Sequence, residues 1–336
     1  MRRFRPVTES ATVVALALAL AVALSGCAAP VAPVAVTGDI STHDPAFVAG
    51  KNGDPSFVYS TGNGQVADGN IQIRRSDDGV DWEYVGEVWE EKPGWLEVAV
   101  PDVDNLWAPE LYEHDGTWYL YYSASRFGTN TSVIALATNT TLDPNDAEYE
   151  WVDKGQVISS VGTDYNAIDP AIVEDDKGTP SMAFGSFSSG IQLVELEWPS
   201  GLRADDAEPT LLADRRTAAN AIEAPALIPH DGYFYLFVSR DFCCRGADST
   251  YNIAVGRSES VAGPYLDANG AELLDDGGTP LLGTDGSRVG PGGQSVSGDI
   301  LAFHYYDADN AGAFRLGLIP LRWVDGWPTV SWGTSP

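Results

Sequence analysis

The sequence predicts an all-β protein folded as a five-bladed β-propeller. Short runs of alternating apolar and polar residues recur along the chain between Gly, Asp, Asn and Pro, and no stretch indicates a substantial helix. Five segments with similar local context, at Asp44, Pro109, Asp169, Glu223 and Gly293, follow one another at intervals of 65, 60, 54 and 70 residues. Each interval holds about four short strands, which is the content of one propeller blade.

The clearest strands are rich in aromatic and β-branched residues. They are Ile71–Ser76, Thr117–Ser123, Met182–Ser186, Tyr233–Ser239 and Ile300–Tyr306. A β-sandwich is the alternative fold, but it would not explain why similar segments begin successive units. In a propeller the innermost strands converge, so residues at the start of each unit are expected to meet near the axis.

The N-terminus is predicted to be an export signal with a lipid-attachment site. Three arginines within the first five residues precede the uncharged, mostly apolar run Ala11–Leu24, which is too short to span a bilayer comfortably. Leu24-Ser25-Gly26-Cys27 resembles the bacterial lipobox, whose cysteine is lipid-modified; the alternative is a signal peptide with an incidental cysteine. We therefore predict a signal peptide over residues 1–27, a tether over residues 28–40 and one propeller over residues 41–332.

The acidic composition argues against nucleic acid as a partner. The chain carries a net charge of −29, and removal of residues 1–26 leaves 16 basic and 47 acidic residues, a net charge of −31. Binding of nucleic acid needs clustered Lys and Arg, so nucleic acid is not an expected partner. A neutral ligand fits this composition better, and the acidic surface also favours solubility.

Cysteines do not form a disulfide framework or a zinc-binding pattern. Of the three cysteines, Cys27 belongs to the lipobox, and Cys243 and Cys244 are adjacent. The adjacent pair is either a vicinal disulfide or two free thiols.

Three carboxyl residues occur in similar frames. Asp44 and Asp169 each precede a proline, and Glu223 stands in Ala221-Ile222-Glu223-Ala224-Pro225. Asp-Pro pairs are also common in turns, where the carboxylate caps a backbone amide, and Asp54-Pro55 is interpreted as such a turn. Because the other three frames recur at the heads of predicted blades, we expect Asp44, Asp169 and Glu223 to form one site.

An ordered set of motifs resembles glycoside hydrolase family 43, and within it the arabinan endo-1,5-α-L-arabinanases. The motifs are His43-Asp44-Pro45, Leu106-Trp107-Ala108-Pro109-Glu110, Asn166-Ala167-Ile168-Asp169-Pro170, Ile222-Glu223-Ala224-Pro225, Asp241-Phe242-Cys243-Cys244-Arg245-Gly246, Val255-Gly256-Arg257-Ser258, Gly263-Pro264-Tyr265, Arg288-Val289-Gly290-Pro291-Gly292, His304-Tyr305-Tyr306-Asp307 and Gly326-Trp327-Pro328. Together they span nearly the whole mature chain.

The resemblance implies a five-bladed propeller that hydrolyses glycosidic bonds with inversion of configuration. It implies that Asp44 is the general base, Glu223 the general acid, and Asp169 a carboxylate that orients the acid and raises its pKa. Inverting enzymes need a base and an acid roughly 6.5–9.5 Å apart, so that water fits between the base and the anomeric carbon. An apolar frame and a neighbouring negative charge would both keep Glu223 protonated.

Substrate contacts are also implied by the resemblance. A sugar ring packs on flat apolar faces, and its hydroxyls need polar partners. The expected binding residues are Trp107, Phe127, Asn166, Ala167, Ile168 and Ser186.

Two positions depart from the family pattern. The family's Gly-Pro-Gly-His, whose histidine binds calcium or a similar ion, reads Gly290-Pro291-Gly292-Gly293 here, and His304 is a weak substitute ligand. Calcium is therefore implied by the resemblance, but its histidine ligand is missing. Ser188 stands where the family commonly has tryptophan, so substrate position or chain-length preference could differ.

The leading hypothesis is a lipid-anchored, extracytoplasmic endo-acting α-1,5-arabinanase on the bacterial cell surface or the periplasmic side of a membrane. We expect a monomer whose partner is arabinan or an arabinose-containing pectin side chain, and whose contact with the membrane is through the lipid alone. The alternatives are an exo-acting family 43 enzyme (exo-arabinanase, α-L-arabinofuranosidase or β-xylosidase) and a non-catalytic glycan-binding lipoprotein.

Overall fold

The computed structural model describes residues 1, 32–64 and 66–333, and it confirms the predicted five-bladed propeller. The signal peptide, Cys27 and residues 28–31 of the tether lie outside the described residues. Regular helix within these ranges is limited to the four-residue α1 (Leu96–Ala99) and three short 3₁₀ turns, Gly246–Asp248, Leu273–Asp275 and Ala308–Asn310. A helix able to cross a membrane is not found in this part of the chain.

Blades 1 and 2 are antiparallel meanders in which each strand pairs with the next along the chain. Blade 1 contains β1 (Thr37–Gly38), β2 (Ala46–Val48), β3 (Ser56–Ser60), β4 (Gln72–Ser76) and β5 (Asp81–Glu87), with β1 added in parallel to the outer edge of β5. Blade 2 contains β6 (Leu106–His114), β7 (Thr117–Ala124), β8 (Val133–Asn139) and β9 (Val152–Ser159).

The remaining blades are also antiparallel, with one branch in blade 3. Blade 3 contains β10 (Ala171–Glu174), β11 (Pro180–Phe184), β12 (Ile191–Glu197), β13 (Leu202–Arg203) and β14 (Thr210–Ala213), and both β13 and β14 pair with β12. Blade 4 contains β15 (Ile222–His230), β16 (Tyr233–Arg240), β17 (Asn252–Ser258) and β18 (Thr279–Leu282). Blade 5 contains β19 (Arg288–Ser297), β20 (Ile300–Asp307) and β21 (Ala313–Pro320), and a separate hairpin pairs β22 (Arg322–Val324) with β23 (Trp327–Thr329).

Each pair of neighbouring blades encloses its own hydrophobic cluster, so five clusters form a closed ring. Strand β16 explains why the strands are apolar on both faces. Its residues Leu236 and Val238 pack toward blade 3, and the alternate residues Tyr235 and Phe237 pack toward blade 5. Alternation of side chains across a strand therefore places apolar residues in two different clusters.

The N-terminal segment joins the last blade to the first. On the side of blade 5, the Val34 amide donates to the Leu318 carbonyl of β21 (2.9 Å), and the Leu316 amide of β21 donates to the Ile40 carbonyl (2.8 Å). On the side of blade 1, β1 pairs with β5. Residues 34–40, which the sequence assigns to the tether, are thus part of the propeller. Their side chains Val34, Val36 and Ile40 pack against the cluster between blades 5 and 1.

In every blade a residue with left-handed backbone lies just before or within the innermost strand, and we call this residue the blade head. These residues are Asp44 (φ 49°), Ala108 (φ 40°), Asp169 (φ 59°), Ala224 (φ 50°) and Gly293 (φ 57°). Four of the five are not glycine, and such a conformation costs about 1–3 kcal/mol at each non-glycine position and is common at functional sites. The five positions aligned in the sequence coincide with these left-handed residues in blades 1, 3 and 5. In blades 2 and 4 the aligned positions, Pro109 and Glu223, are each one residue away from the left-handed alanine.

Candidate active site

The five blade heads meet around a small cavity on the propeller axis. The cavity has a volume of about 30 Å³ and is lined by Asp44, Glu110, Asp169, Ala224 and Gln294, among others. A larger recess of about 600 Å³ lies beside Tyr233 and Trp327 and contains none of the three predicted carboxyls. Asp44 and Asp169 line the axial cavity, and the third predicted carboxyl, Glu223, directly precedes the lining residue Ala224.

Asp44 is held at one carboxylate oxygen and left open at the other. Its Oδ2 accepts from Thr61 Oγ1 (2.7 Å) and from His43 Nδ1 (2.8 Å). Its Oδ1 faces Gly293, because a Cβ at residue 293 would lie 2.3 Å from this atom. Burial raises the pKa of Asp44, but the electrostatic interaction with His43 and the hydrogen bond from His43 outweigh it and hold the pKa well below its usual value. Asp44 is therefore an ionised carboxylate with one oxygen available to accept a proton.

His304 supports Asp44 through the main chain. The Asp44 backbone N–H donates to His304 Nδ1 (3.1 Å), so this nitrogen is unprotonated and its 3.4 Å approach to Asp44 Oδ1 is not a hydrogen bond. Complete burial lowers the pKa of His304 to about 4. His304 is therefore a neutral imidazole packed under the base.

Asp169 and Glu223 form the second part of the site. Asp169 Oδ2 accepts the Ala224 backbone N–H (3.0 Å), next to the predicted acid, and Ser186 Oγ donates to Glu223 Oε2 (2.6 Å). Burial, followed by the negative charges of Glu223 and Asp44, raises the pKa of Asp169. Burial also raises the pKa of Glu223, against hydrogen bonds from Ser186 and Tyr251. The pair therefore retains a proton at a pH where an isolated carboxyl is ionised.

A fourth carboxyl, Glu110, was not predicted as a site residue. It lines the axial cavity, and burial raises its pKa to about 8 despite hydrogen bonds from the Ile172 and Leu111 amides. Glu110 is therefore mostly protonated at neutral pH. Glu110 directly follows Pro109, one of the five positions aligned in the sequence, and this was the available sequence signal.

The predicted substrate contacts have different surroundings. Phe127 is 80% exposed and Trp107 is half-buried, so both have surface to offer. The buried Asn166 accepts from Ser132 Oγ (2.7 Å), and Ala167 and Ile168 are almost fully buried. Ser186 reaches the site, but its hydroxyl contacts Glu223.

Ser188 and the cysteine pair are two further positions that the sequence singled out. Ser188 Oγ donates to Asn130 Oδ1 (3.2 Å). Cys243 and Cys244 form a vicinal disulfide, which resolves the alternative that the sequence left open. The Cys244 amide donates to the hydroxyl of Tyr306 (2.8 Å).

The residues at the family's ion position do not fit a cation. Gly293 supplies no side-chain ligand, and His43, Asp44 and His304 bring candidate ligand atoms within 4.8 Å of one another. The ring nitrogens beside Asp44 are already hydrogen-bonded, because His43 Nδ1 bonds to Asp44 Oδ2 and His304 Nδ1 accepts the Asp44 amide, which leaves Asp44 Oδ1 as the open oxygen. A cation here would have to displace hydrogen-bond donors.

We expect chelation to leave activity unchanged. Dialysis against EDTA should alter the hydrolysis rate by less than about twofold, because Gly293 offers no side-chain ligand and the ring nitrogens of His43 and His304 beside Asp44 are already hydrogen-bonded. Rates before and after dialysis, and after addition of Ca²⁺, provide the measurement. A loss on chelation that Ca²⁺ restores would contradict this account of the site.

Comparison with known proteins agrees with the geometry. The profile described as "Glycosyl hydrolases family 43" matches residues 37–328. An extracellular endo-α-(1→5)-L-arabinanase of Bacillus subtilis (strain 168) is 40% identical over 294 residues, covering 85% of this chain and 87% of the relative. An extracellular exo-α-(1→5)-L-arabinofuranosidase of Cellvibrio japonicus (strain Ueda107) is 39% identical over 310 residues, covering 87% and 86%. A GH43 endo-arabinanase structure from Bacillus licheniformis superposes with a TM-score of 0.82 at 38% identity, covering 88% of this chain and 99% of that one.

Proposed function

Because the chain belongs to glycoside hydrolase family 43, as the resemblance predicted, we propose that it hydrolyses internal α-1,5-L-arabinofuranosidic bonds of arabinan with inversion of configuration. One observation carries the proposal. An ionised carboxylate with a free oxygen, Asp44, shares the axial site with a carboxyl pair, Asp169 and Glu223, that retains a proton. This is the division of labour that an inverting glycosidase requires.

In the proposed reaction Asp44 is the base and Glu223 is the acid. Asp44 Oδ1 takes a proton from water as the water oxygen bonds to the anomeric carbon. The glycosidic C–O bond breaks on the opposite face, and Glu223 gives its proton to the departing sugar oxygen. Asp44 ends protonated and Glu223 ionised, and exchange with solvent restores both. Asp169 orients the acid through the Ala224 amide, and burial together with the charge of Asp44 favours the protonated form of Glu223.

The location and the substrate contacts are part of the proposal. We propose export and lipid attachment at Cys27, for which the lipobox-like sequence and the extracellular relatives are the support. Phe127 and Trp107 are proposed to pack against sugar rings, since both have accessible aromatic surface.

Exo action is the second candidate, because a relative named as an exo-acting arabinofuranosidase is about as similar as the endo-acting one. The experiment is to incubate the purified protein with linear arabinan and size the products over time. Early oligosaccharides of mixed length support endo cleavage, whereas arabinose alone supports exo cleavage. Binding of arabinan without any product would overturn the enzyme proposal.

Ser186→Ala should move the basic limb of the pH–activity profile to higher pH. Burial raises the pKa of Glu223, and the Ser186 hydroxyl lowers it by bonding to the carboxylate. Without that bond the pKa of Glu223 rises further, so the acid stays protonated to a higher pH. The measurement is kcat/KM on arabinan from pH 4 to 10.

Ser189→Ala is the matched control for this shift. Ser189 lies in the same loop, but its hydroxyl contacts Gln192 Nε2 (3.3 Å) instead of the acid. The control should keep the wild-type basic limb. A limb that stays in place, or falls, in Ser186→Ala would remove Ser186 as a modulator of Glu223.

A further inference from the structure

We propose that the Tyr306 hydroxyl is a positioning group that orients the general base through His43. The hydroxyl lies between the amide of Cys244, in the loop between β16 and β17 of blade 4, and the imidazole of His43, in blade 1. The inference rests on the proposed function, because it takes Asp44 as the base.

Three consecutive hydrogen bonds connect the disulfide loop to Asp44. The Cys244 amide is 2.8 Å from Tyr306 Oη, Tyr306 Oη is 2.9 Å from His43 Nε2, and His43 Nδ1 is 2.8 Å from Asp44 Oδ2. The residues come from three different blades or loops, so the contact depends on the folded ring.

The direction of this chain is set by its two ends. A backbone N–H can only donate, so the Cys244 amide occupies a lone pair of the Tyr306 oxygen. The ionised Asp44 carboxylate can only accept, so a ring hydrogen of His43 sits on Nδ1. In the single-hydrogen form of the ring, Nε2 is then the acceptor and takes the hydrogen of the Tyr306 hydroxyl. Tyr306 therefore stabilises the tautomer that donates to Asp44.

The imidazole ring is already fixed in orientation by its neighbours. His43 stacks on His304 with centroids 3.6 Å apart and an interplanar angle of 22°, and the Phe314 ring meets it edge-on at 5.5 Å. With the ring held in place, the position of the hydrogen is the remaining variable. The opposite tautomer would direct the Nδ1 lone pair at the Asp44 carboxylate.

The donor at the other end is also well fixed. The loop carrying Cys244 is closed by hydrogen bonds between its two ends, and the vicinal disulfide restricts the backbone at residues 243 and 244. The Thr250 amide donates to the Phe242 carbonyl (3.0 Å), and Ser249 Oγ donates to the same carbonyl (2.8 Å). The loop is thus a rigid support for the Tyr306 oxygen.

Tyr306→Phe tests the proposal. We expect kcat to fall roughly 10- to 100-fold, the size of effect seen when a supporting hydrogen bond to a site residue is removed, while KM changes by less than about threefold. The acidic limb of kcat/KM should move to higher pH, because His43 lowers the pKa of Asp44 and would do so less without its fixed tautomer.

The titratable groups facing Asp44 are His43 beside it, Asp169 before β10, Glu223 on β15, Tyr251 before β17, and His304 and Tyr306 on β20.

Tyr305→Phe is the matched control. It removes the same hydroxyl one residue earlier on β20, where the ring packs on Trp332 (5.7 Å). This variant should keep the wild-type kcat and pH profile. Thermal unfolding of both variants checks that the change at Tyr306 leaves the propeller folded.

A double-variant cycle separates an effect through His43 from a direct one. Asparagine at position 43 can still donate an N–H to Asp44 but has no counterpart of Nε2, so Tyr306→Phe should cost nothing further in a His43→Asn background. Equal losses in both backgrounds, or an acidic limb that does not move, would overturn the proposal. If Asp44→Asn stays active, the base assignment fails instead; if Asp44→Asn is inactive and Tyr306→Phe is normal, only the role of Tyr306 fails.

Discussion

Glu223→Gln is expected to lower turnover of arabinan by about 10³-fold or more, because an amide cannot protonate the departing sugar oxygen. Glutamine keeps the size of the side chain and an oxygen that can accept from Ser186 Oγ, which lies 2.6 Å from Glu223 Oε2. The site should therefore remain assembled, and binding of arabinan should persist. The measurement is the rate of release of reducing ends, together with calorimetric binding of an arabino-oligosaccharide.

A substrate with a better leaving group makes this prediction specific to the acid. A dinitrophenyl arabino-oligosaccharide departs without protonation, so Glu223→Gln should recover much of its lost activity on that substrate. If Glu223→Gln hydrolysed arabinan at the wild-type rate, Glu223 would not be the general acid. Loss of binding along with turnover would indicate a damaged site.

Asp44→Asn is expected to lower activity by about 10⁴-fold on every substrate, the upper end of what a general base contributes. Asparagine can keep one oxygen for the donors Thr61 and His43, so the neighbouring hydrogen bonds have a partner. Its amide nitrogen would then face Gly293, where the base needs an oxygen to accept the proton of water. A better leaving group should give no rescue, because the lost step is activation of water.

Asp54→Asn is the matched control for the base. Asp54 also precedes a proline, but it is exposed and lies in a turn in which its amide donates to the Lys51 carbonyl (3.0 Å). Activity should be unchanged. Rescue of Asp44→Asn by the activated substrate, or a similar loss in Asp54→Asn, would contradict the assignment of the base.

The sequence was sufficient for the fold because every blade repeats the same local pattern. Strands such as β16 are apolar on both faces, and proline follows the blade head in four of the five blades, which made the repeat visible. The same frames identified Asp44, Asp169 and Glu223, which the structure brings to the axis or beside it. The repeat was placed one residue out at Ala108 and Ala224, because alanine gives no indication of a left-handed backbone.

Other parts of the site depended on contacts that no local pattern reports. The bond between His43 and Tyr306 joins residues 263 positions apart, and the disulfide of Cys243 and Cys244 could equally have been two thiols. Residues 34–40 were assigned to the tether because the stretch from Ala28 to Gly38 contains Pro30 and Pro33 and carries no charge. Only their pairing with β5 and β21 places them in the propeller. A Cβ at position 293 would lie 2.3 Å from Asp44 Oδ1, so the family's histidine cannot replace Gly293 without moving the Asp44 carboxylate.

Closure of the ring by its two ends has a consequence for how the protein reaches its native state. The contacts between Val34 and Leu318 join positions 284 residues apart, so they can form only after nearly the entire chain has been synthesised. Until then the facing surfaces of blades 5 and 1, including Phe47, Val58 and Leu316, remain exposed to water. Non-local pairing of this kind slows folding and leaves apolar surface open to aggregation. The seam between the first and last blades is therefore expected to be the last to close during folding.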